Sequence, residues 1–436
     1  MKWSNIFTIP DPTIVQEGSV DPLGMQVIWT HFGQKIFANK LTTVATDIRN
    51  YTVNLLQLHV LDRLKNEHSD LYEKAIEKYA NYNNEYDLKA GLLILMEDAM
   101  VFSLMLNNDK DEVDIRGLLG SYNAEKQLSK DPDQVVIEAE KSKGVLVRQL
   151  QLGVTGRYKG PFINMGLLTK TLQHSGDWVV IKTVIDQWPE GKQLANVLLK
   201  LICKIIQTKD GNYPTLTLSE LQENSEVINH YVNCFGKFKM NAELRKFWLE
   251  KLGLEGGAAK SIYDQVGSTE KGIHTSVIIE QARQTQSGEA ELQLEQILRL
   301  EPFLSSVSQL FYLMTDIGNK KLSNILEQFE QLADRIHLAD ISDLEIESPR
   351  LKTLVKFMKE ANGEPTQIAH KIVEYHALIM QNRGGAAWIE IQDDQLKHYI
   401  AQRTPVSTKD FLQNNYWYHD YYLGPIRSIY FGLNPN

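Results

Sequence analysis

Beyond about residue 40 the chain is patterned for helices, with apolar positions recurring every three or four residues and polar ones between them. Over 43–64 the side chains of Val44, Ile48, Tyr51, Leu55, Leu58 and Leu61 fall on one stripe, which predicts an amphipathic helix. A second helix is predicted over 71–82 and a third over 88–106; the third is apolar on most sides and belongs at the centre of a core. Residues 107–142, rich in Asp, Asn, Gly and Ser, read as loops with one short helix. An element over 145–152 then leads into "GVTGRYKGPFINMGLL", whose glycines and proline suit either a turn between two helices or a small wing-like hairpin.

A nearly all-apolar helix resumes over 192–206. Thr217 followed three residues later by Glu220 is a capping box, in which each side chain accepts the other residue's backbone N–H. Asn241 caps "AELRKFWLEKLG", and Gly253 with Leu254 beyond it marks a left-handed glycine stop. Further on, Phe303, Leu304, Val307, Leu310, Phe311 and Met314 mark a helix expected to start at Pro302, because proline is favoured in a first turn. Helices over 322–336, 349–361 and 365–380 follow. In "AAWIEIQDDQL", Trp388, Glu390 and Gln392 alternate with Ile389 and Ile391, which is the main strand signal. The expected fold is therefore mainly α and multi-helical, with a short C-terminal strand or hairpin and a winged-helix-like element near 145–172. Three consecutive domains are expected: 1–140, 141–255 and 256–436, with "GLEGGAAK" as the second boundary.

Composition narrows the class without naming an activity. With 43% hydrophobic and 23% charged residues the chain is an ordinary globular one, and a net charge of -9 disfavours nonspecific coating of nucleic acid. The run "AGLLILMEDAMVFSLML" is broken by Glu97 and Asp98, so no membrane span and no membrane partner are expected. The opening "MKWSNIFTIPDPTIVQEG" lacks the continuous apolar core of a secretion leader, and Cys203 and Cys234 sit in apolar helical patterns, as buried thiols of a reducing compartment would. A cytoplasmic location is expected.

Catalytic signatures are missing from the linear sequence. No glycine-rich run ends in Gly-Lys-Ser/Thr, no strand leads into Gly-x-Gly-x-x-Gly, and no Gly-x-Ser-x-Gly elbow occurs. His370 and His376 are six apart and so point to different helix faces, and His419-Asp420 alone is not a metal motif. No cofactor, metal or catalytic residue is assigned. The acidic run Asp109, Asp111, Glu112 and Asp114 reads as a solvated loop. More coherent is a basic segment: Arg148, Arg157, Lys159 and Lys170 flank Tyr158 and several glycines, so cations, amides and a ring could face a nucleic-acid backbone, the bland alternative being a tight turn with solvated charges.

Three stretches carry a resemblance. "DPLGMQVIWTHFGQKIFANKLTTVATDIRNYTVNLLQLHVL" runs from Asp-x-Leu-Gly through an apolar helix to Arg49 and Tyr51, while "HALIMQNRGGAAWIEIQDDQL" and "YWYHDYYLGPIRSIY" close the chain. This arrangement resembles a family of prokaryotic helical proteins known only as a domain of unknown function and encoded in anti-phage defence islands beside helicases and nucleases. The family tends to read Asp-Glu-Leu-Gly where Pro22 stands here, and it supplies no catalytic residue to carry over. The resemblance implies a non-enzymatic accessory subunit that binds a helicase or nuclease partner and DNA. Two alternatives stay open: a hydrolase or nuclease with a dispersed site such as Asp47, Arg49 and His419, and a sequence-specific DNA-binding regulator.

The tail "NYWYHDYYLGPIRSIYFGL" is the densest aromatic stretch. Its rings suit a clasp closing the core. Alternatively Trp417, Tyr421, Tyr422 and Arg427 form a partner-binding surface, where such residues are preferred anchors.

Overall fold

The computed structural model describes residues 16–17, 21–79, 82, 84–110, 112–140, 142–175, 178–269, 272–333, 335–336, 338–401, 406–413 and 415–435. Asp111 of the acidic run and most of the opening stretch lie outside them. Helix dominates, and the strands are two to four residues long. No described helix is long and apolar enough to cross a membrane.

The chain divides into two units where three consecutive domains are expected from the sequence. The first unit combines Met1–Ile36 with Ser268–Tyr421, and the second combines Phe37–Gly267 with Tyr422–Asn436. The boundary expected at "GLEGGAAK" is not one, because Leu254 is buried and Gly257–Ser268 continues as a helix with Ile262 and Val266 in the core. Local periodicity marks elements well, but it carries no record of a chain that leaves a unit and returns.

In the second unit the Ile48–Glu67 helix is buried on most of its circumference and packs on Pro189–Thr208, Glu85–Met105, Val154–Asn164 and Leu423–Leu433. The side chain of Asp47 caps it by accepting from the Arg49 backbone N–H. Glu85–Met105 is enclosed as its all-round apolar pattern requires, and the two acids that interrupt it are anchors. Glu97 accepts from the Thr155 N–H at 2.6 Å and the Gln149 amide at 2.9 Å, and Asp98 accepts from the Val145 N–H at 3.1 Å. Burial pushes both carboxyls above the usual range, against the pull of these donors. Their role is to fix the loop that precedes the Val154–Asn164 helix.

That helix occupies the stretch left open between a turn and a wing: it contains Pro161, and the nearby strand-like pairing is a single bridge between Leu168 and His174. Val136–Glu138 and Thr215–Thr217 form a short antiparallel pair inside segments expected to be loop or helix cap; three residues are too few for alternation to show. The Thr217–Glu220 capping box, the Asn241 cap and the left-handed Gly253 are all present.

The first unit is built on the Gly288–Thr315 helix. Pro302 lies inside it instead of starting it. Proline costs an interior helix roughly 3 kcal/mol, and the buried run Leu294, Ile297, Leu300, Leu304 and Val307 on both sides of Pro302 offsets that cost. Pro349–Glu360 packs on Pro365–Asn382, which contacts the long helix. The expected C-terminal strand is half of an antiparallel hairpin, Ile389–Gln392 with Gln395–His398, and Gln16–Glu17 pairs in parallel with Ile400–Ala401. His376 is enclosed: its Nδ1–H donates to the Pro22 carbonyl at 2.9 Å and its Nε2 accepts from the Trp388 N–H at 2.8 Å. Both nitrogens are committed, so this histidine is a neutral structural pin.

Candidate functional site

A cleft of about 890 Å³ lies within the second unit. Four separate stretches line it: 46–49 at the start of the Ile48–Glu67 helix, 112–117, 235–239, and 428–435 at the end of the last helix and just beyond it. Arg49 builds its floor. The guanidinium forks onto Asp47 (Nη2 to Oδ2, 2.7 Å), donates to the Asp114 carbonyl at 3.0 Å and to the Arg116 carbonyl, and lies over the Phe235 ring at 4.5 Å. These bonds tie the 114–117 loop to the helix start. Gly117 is needed there, because its φ is +76° and an added Cβ would meet an Asp47 carboxylate oxygen at 2.5 Å. On the opposite wall Gly432 permits close packing, since a Cβ there would lie 2.5 Å from the Ile48 side chain.

The cleft's remaining charges face outward. Arg116, with a side chain 89% exposed, bonds Asp114 through Nε and Nη2, both at 2.9 Å, and this partner holds the Asp114 carboxyl below its usual range. Lys237 pairs with Glu112 at 2.6 Å and likewise holds that carboxyl down. Lys239 is exposed, Phe238 is half-buried, and the Phe431 ring is 47% exposed. The lining thus offers cations, carboxylates and aromatic faces to one ligand.

The sequence-derived basic segment sits elsewhere in the same unit, and its members differ in exposure. Arg148 is exposed at a left-handed position (φ 60°), and Lys170 is exposed in a turn. Arg157 is half-buried with its Nε donating to the Leu152 carbonyl at 2.9 Å, and Lys159 lies over the Tyr86 ring at 5.5 Å. Tyr158, the ring expected to face a nucleic-acid backbone, is a core residue: it meets Tyr51 edge-on at 4.5 Å, and its hydroxyl accepts from the Asp47 N–H at 3.2 Å and donates to the Asp47 carbonyl at 3.3 Å. It supports the cleft from below. Tyr158→Phe is therefore expected to cost about 1–2 kcal/mol by losing two modest hydrogen bonds, measured by urea unfolding; an unchanged midpoint would mean the hydroxyl does not hold Asp47.

The partner-binding assignment needs a similar correction. Trp417, Tyr421 and Tyr422 are buried, the tyrosines almost completely, and Arg427 is half-buried. The clasp alternative describes Trp417 and Tyr421 in the first unit. Its centre is Glu301, a fully enclosed carboxyl on the Gly288–Thr315 helix. One oxygen accepts from the Trp29 indole at 2.6 Å and the Tyr421 hydroxyl at 2.8 Å; the other accepts from Ser305 Oγ at 2.6 Å and the backbone N–H groups of Tyr418 at 3.0 Å and His419 at 3.2 Å. Enclosure nevertheless raises its pKa to about 7. His419 stacks on Trp29 at 5.2 Å, and burial lowers its pKa to about 4.

Of the dispersed set Asp47, Arg49 and His419, the first two are joined in the cleft as an ion pair, while His419 belongs to the buried centre of the first unit. Among the described residues no group of three or more His, Cys, Asp or Glu could hold a metal ion, and Cys203 and Cys234 are free thiols, Cys203 only half-buried. No family model, no curated protein and no solved structure matches the chain.

Proposed function

We propose that this protein is a non-enzymatic binding subunit of a prokaryotic anti-phage defence system, engaging a helicase or nuclease partner and DNA, with the second-unit cleft as its ligand surface. The observation that carries the binding reading is the cleft itself: a rigid Arg49–Asp47 floor under outward-facing Arg116, Lys237, Lys239 and Phe431. The strongly shifted acids Glu97, Asp98 and Glu301 are by contrast enclosed and hydrogen-bonded to their own framework, which suits anchoring more than turnover. The defence setting rests on the motifs at the two chain ends.

Arg116→Glu combined with Lys239→Glu is expected to reduce phage protection about tenfold or more, equivalent to some 1.4 kcal/mol of binding, in cells carrying the gene with its neighbours. Melting should be unchanged, because exposed charges add little to folding. Full protection by the double variant would remove the cleft from the function. Hydrolysis of DNA, nucleotides or phosphoesters by the purified protein, abolished by one substitution, would overturn the non-enzymatic reading.

A further inference from the structure

Resting on the reading of the cleft as the ligand surface, we infer that its ligand is a nucleoside phosphate, either a free mononucleotide or one unit of a single strand. The argument is the mixture of groups that converge there. Its volume of about 890 Å³ lies within the range of roughly 300–1,000 Å³ usual for small-molecule sites. An inorganic anion would use the cations alone, and an acidic peptide would leave the exposed Phe431 ring without purpose. A nucleotide uses the cations and the rings together: phosphate for the cations and a flat base for a ring.

The arrangement is also prepared in advance. Arg49 is spent on Asp47, on two carbonyls and on Phe235, so it shapes the floor and does not follow the ligand. Arg116 uses Nε and Nη2 on Asp114, which orients the guanidinium while its 89% exposed side chain keeps N–H groups toward solvent. Lys237 and Lys239 stand on the adjoining 235–239 stretch. Phe431, on the last helix, and Phe238 supply the rings, with Phe238 itself steadied edge-on by Trp188 at 6.1 Å. Phosphate at Arg116, Lys237 and Lys239 would leave the base to the Phe431 ring, with Glu112 and Asp114 holding the cations in place at the phosphate end.

The test is a titration of the full chain with dAMP, with a fluorescein-labelled twelve-residue single-stranded DNA, and with a poly-glutamate peptide of equal length. Phe431→Ala is expected to weaken nucleotide binding about 5- to 100-fold, the range for losing one base–aromatic stack. Phe431→Leu, which keeps an apolar side chain without the ring, should lose nearly as much while melting like wild type. Arg116→Glu with Lys239→Glu should weaken binding further, and the wild-type dependence on salt for the single strand should have a log–log slope near about -2, from roughly three phosphate contacts. Tight dAMP binding identifies the free mononucleotide as the source, and binding of the oligomer alone identifies the strand. Equal binding by Phe431→Leu and wild type, or preferential binding of poly-glutamate, overturns the nucleotide. If neither nucleotide probe binds while the double charge variant still loses phage protection, the nucleotide inference fails and the cleft keeps its partner-binding role.

Discussion

Glu301→Ala is expected to be the most damaging single substitution in the first unit, costing more than about 4 kcal/mol, because a buried donor left without an acceptor costs roughly 1–3 kcal/mol and five donors converge on this carboxylate. Ser305 can turn its hydroxyl elsewhere, but the Trp29 indole and the Tyr418 and His419 amides are held by the packing around them. Urea unfolding followed by tryptophan fluorescence reads the loss, since Trp29 and Trp417 both lie in this unit. A change below about 1 kcal/mol, the value of one ordinary hydrogen bond, would show that Glu301 is not the anchor.

The same carboxyl has a pH signature. Its folded pKa of about 7 lies above the ordinary 4.5, so between these values the native state holds a proton that the unfolded chain has lost. Stability from this group is therefore full below pH 4.5 and declines as pH rises to 7, by about 3 kcal/mol in total. His419 works in the opposite sense over much of this range, being held neutral down to about 4. Glu301→Gln keeps the volume but removes the titration, so the difference between wild type and Glu301→Gln isolates the carboxyl. That difference should shift against the wild type between about pH 4.5 and 7 and level off outside that window, and a flat difference throughout would refute the assignment.

Trp248→Ala is the expected counterpart in the second unit, at about 3–5 kcal/mol. The ring is fully enclosed among Tyr51, Phe162 and Phe247, with centroids at 5.5, 6.1 and 4.9 Å, and its indole donates to Thr52 Oγ1 at 2.9 Å. Trp417→Ala should fall at the lower end of the range. Its indole nitrogen is buried without a hydrogen-bond partner among the described residues, so truncation removes an unsatisfied group along with the packing. Calorimetric melting of the two variants checks the order, and a larger loss for Trp417→Ala would contradict it.

Helices were legible because their signals are local: the stripe from Ile48 to Leu61, the Thr217–Glu220 box and the left-handed Gly253 each act within a few residues. Pro302 misled because the same residue is favourable in a first turn and tolerable mid-helix when burial outweighs its cost. Tyr158 misled because its sequence neighbours are charged, whereas its ring turns inward on Tyr51. The cleft was legible only in fragments. Asp47, Arg49, Glu112, Asp114 and the aromatic tail each stand out in the sequence, but they come from stretches up to several hundred residues apart, and no periodicity encodes which of them meet. Glu97 and Asp98 read as interruptions of an apolar run; acids inside so apolar a helix are a usable signal for buried anchors.

The return of the chain to the second unit at Tyr422 sets an order of assembly during synthesis. At the ordinary pace of about 5–20 residues per second, roughly 20 to 80 s separate the emergence of Phe37 from that of Tyr422. Throughout that interval the Ile48–Glu67 helix waits for the helix that seats Gly432 against Ile48, and the cleft lacks its Ser428–Phe431 wall. A nascent chain halted before Tyr422 should therefore be protease-sensitive around Ile48 and a client for chaperones, and ligand recognition by this cleft becomes available only after the ribosome has delivered the final helix.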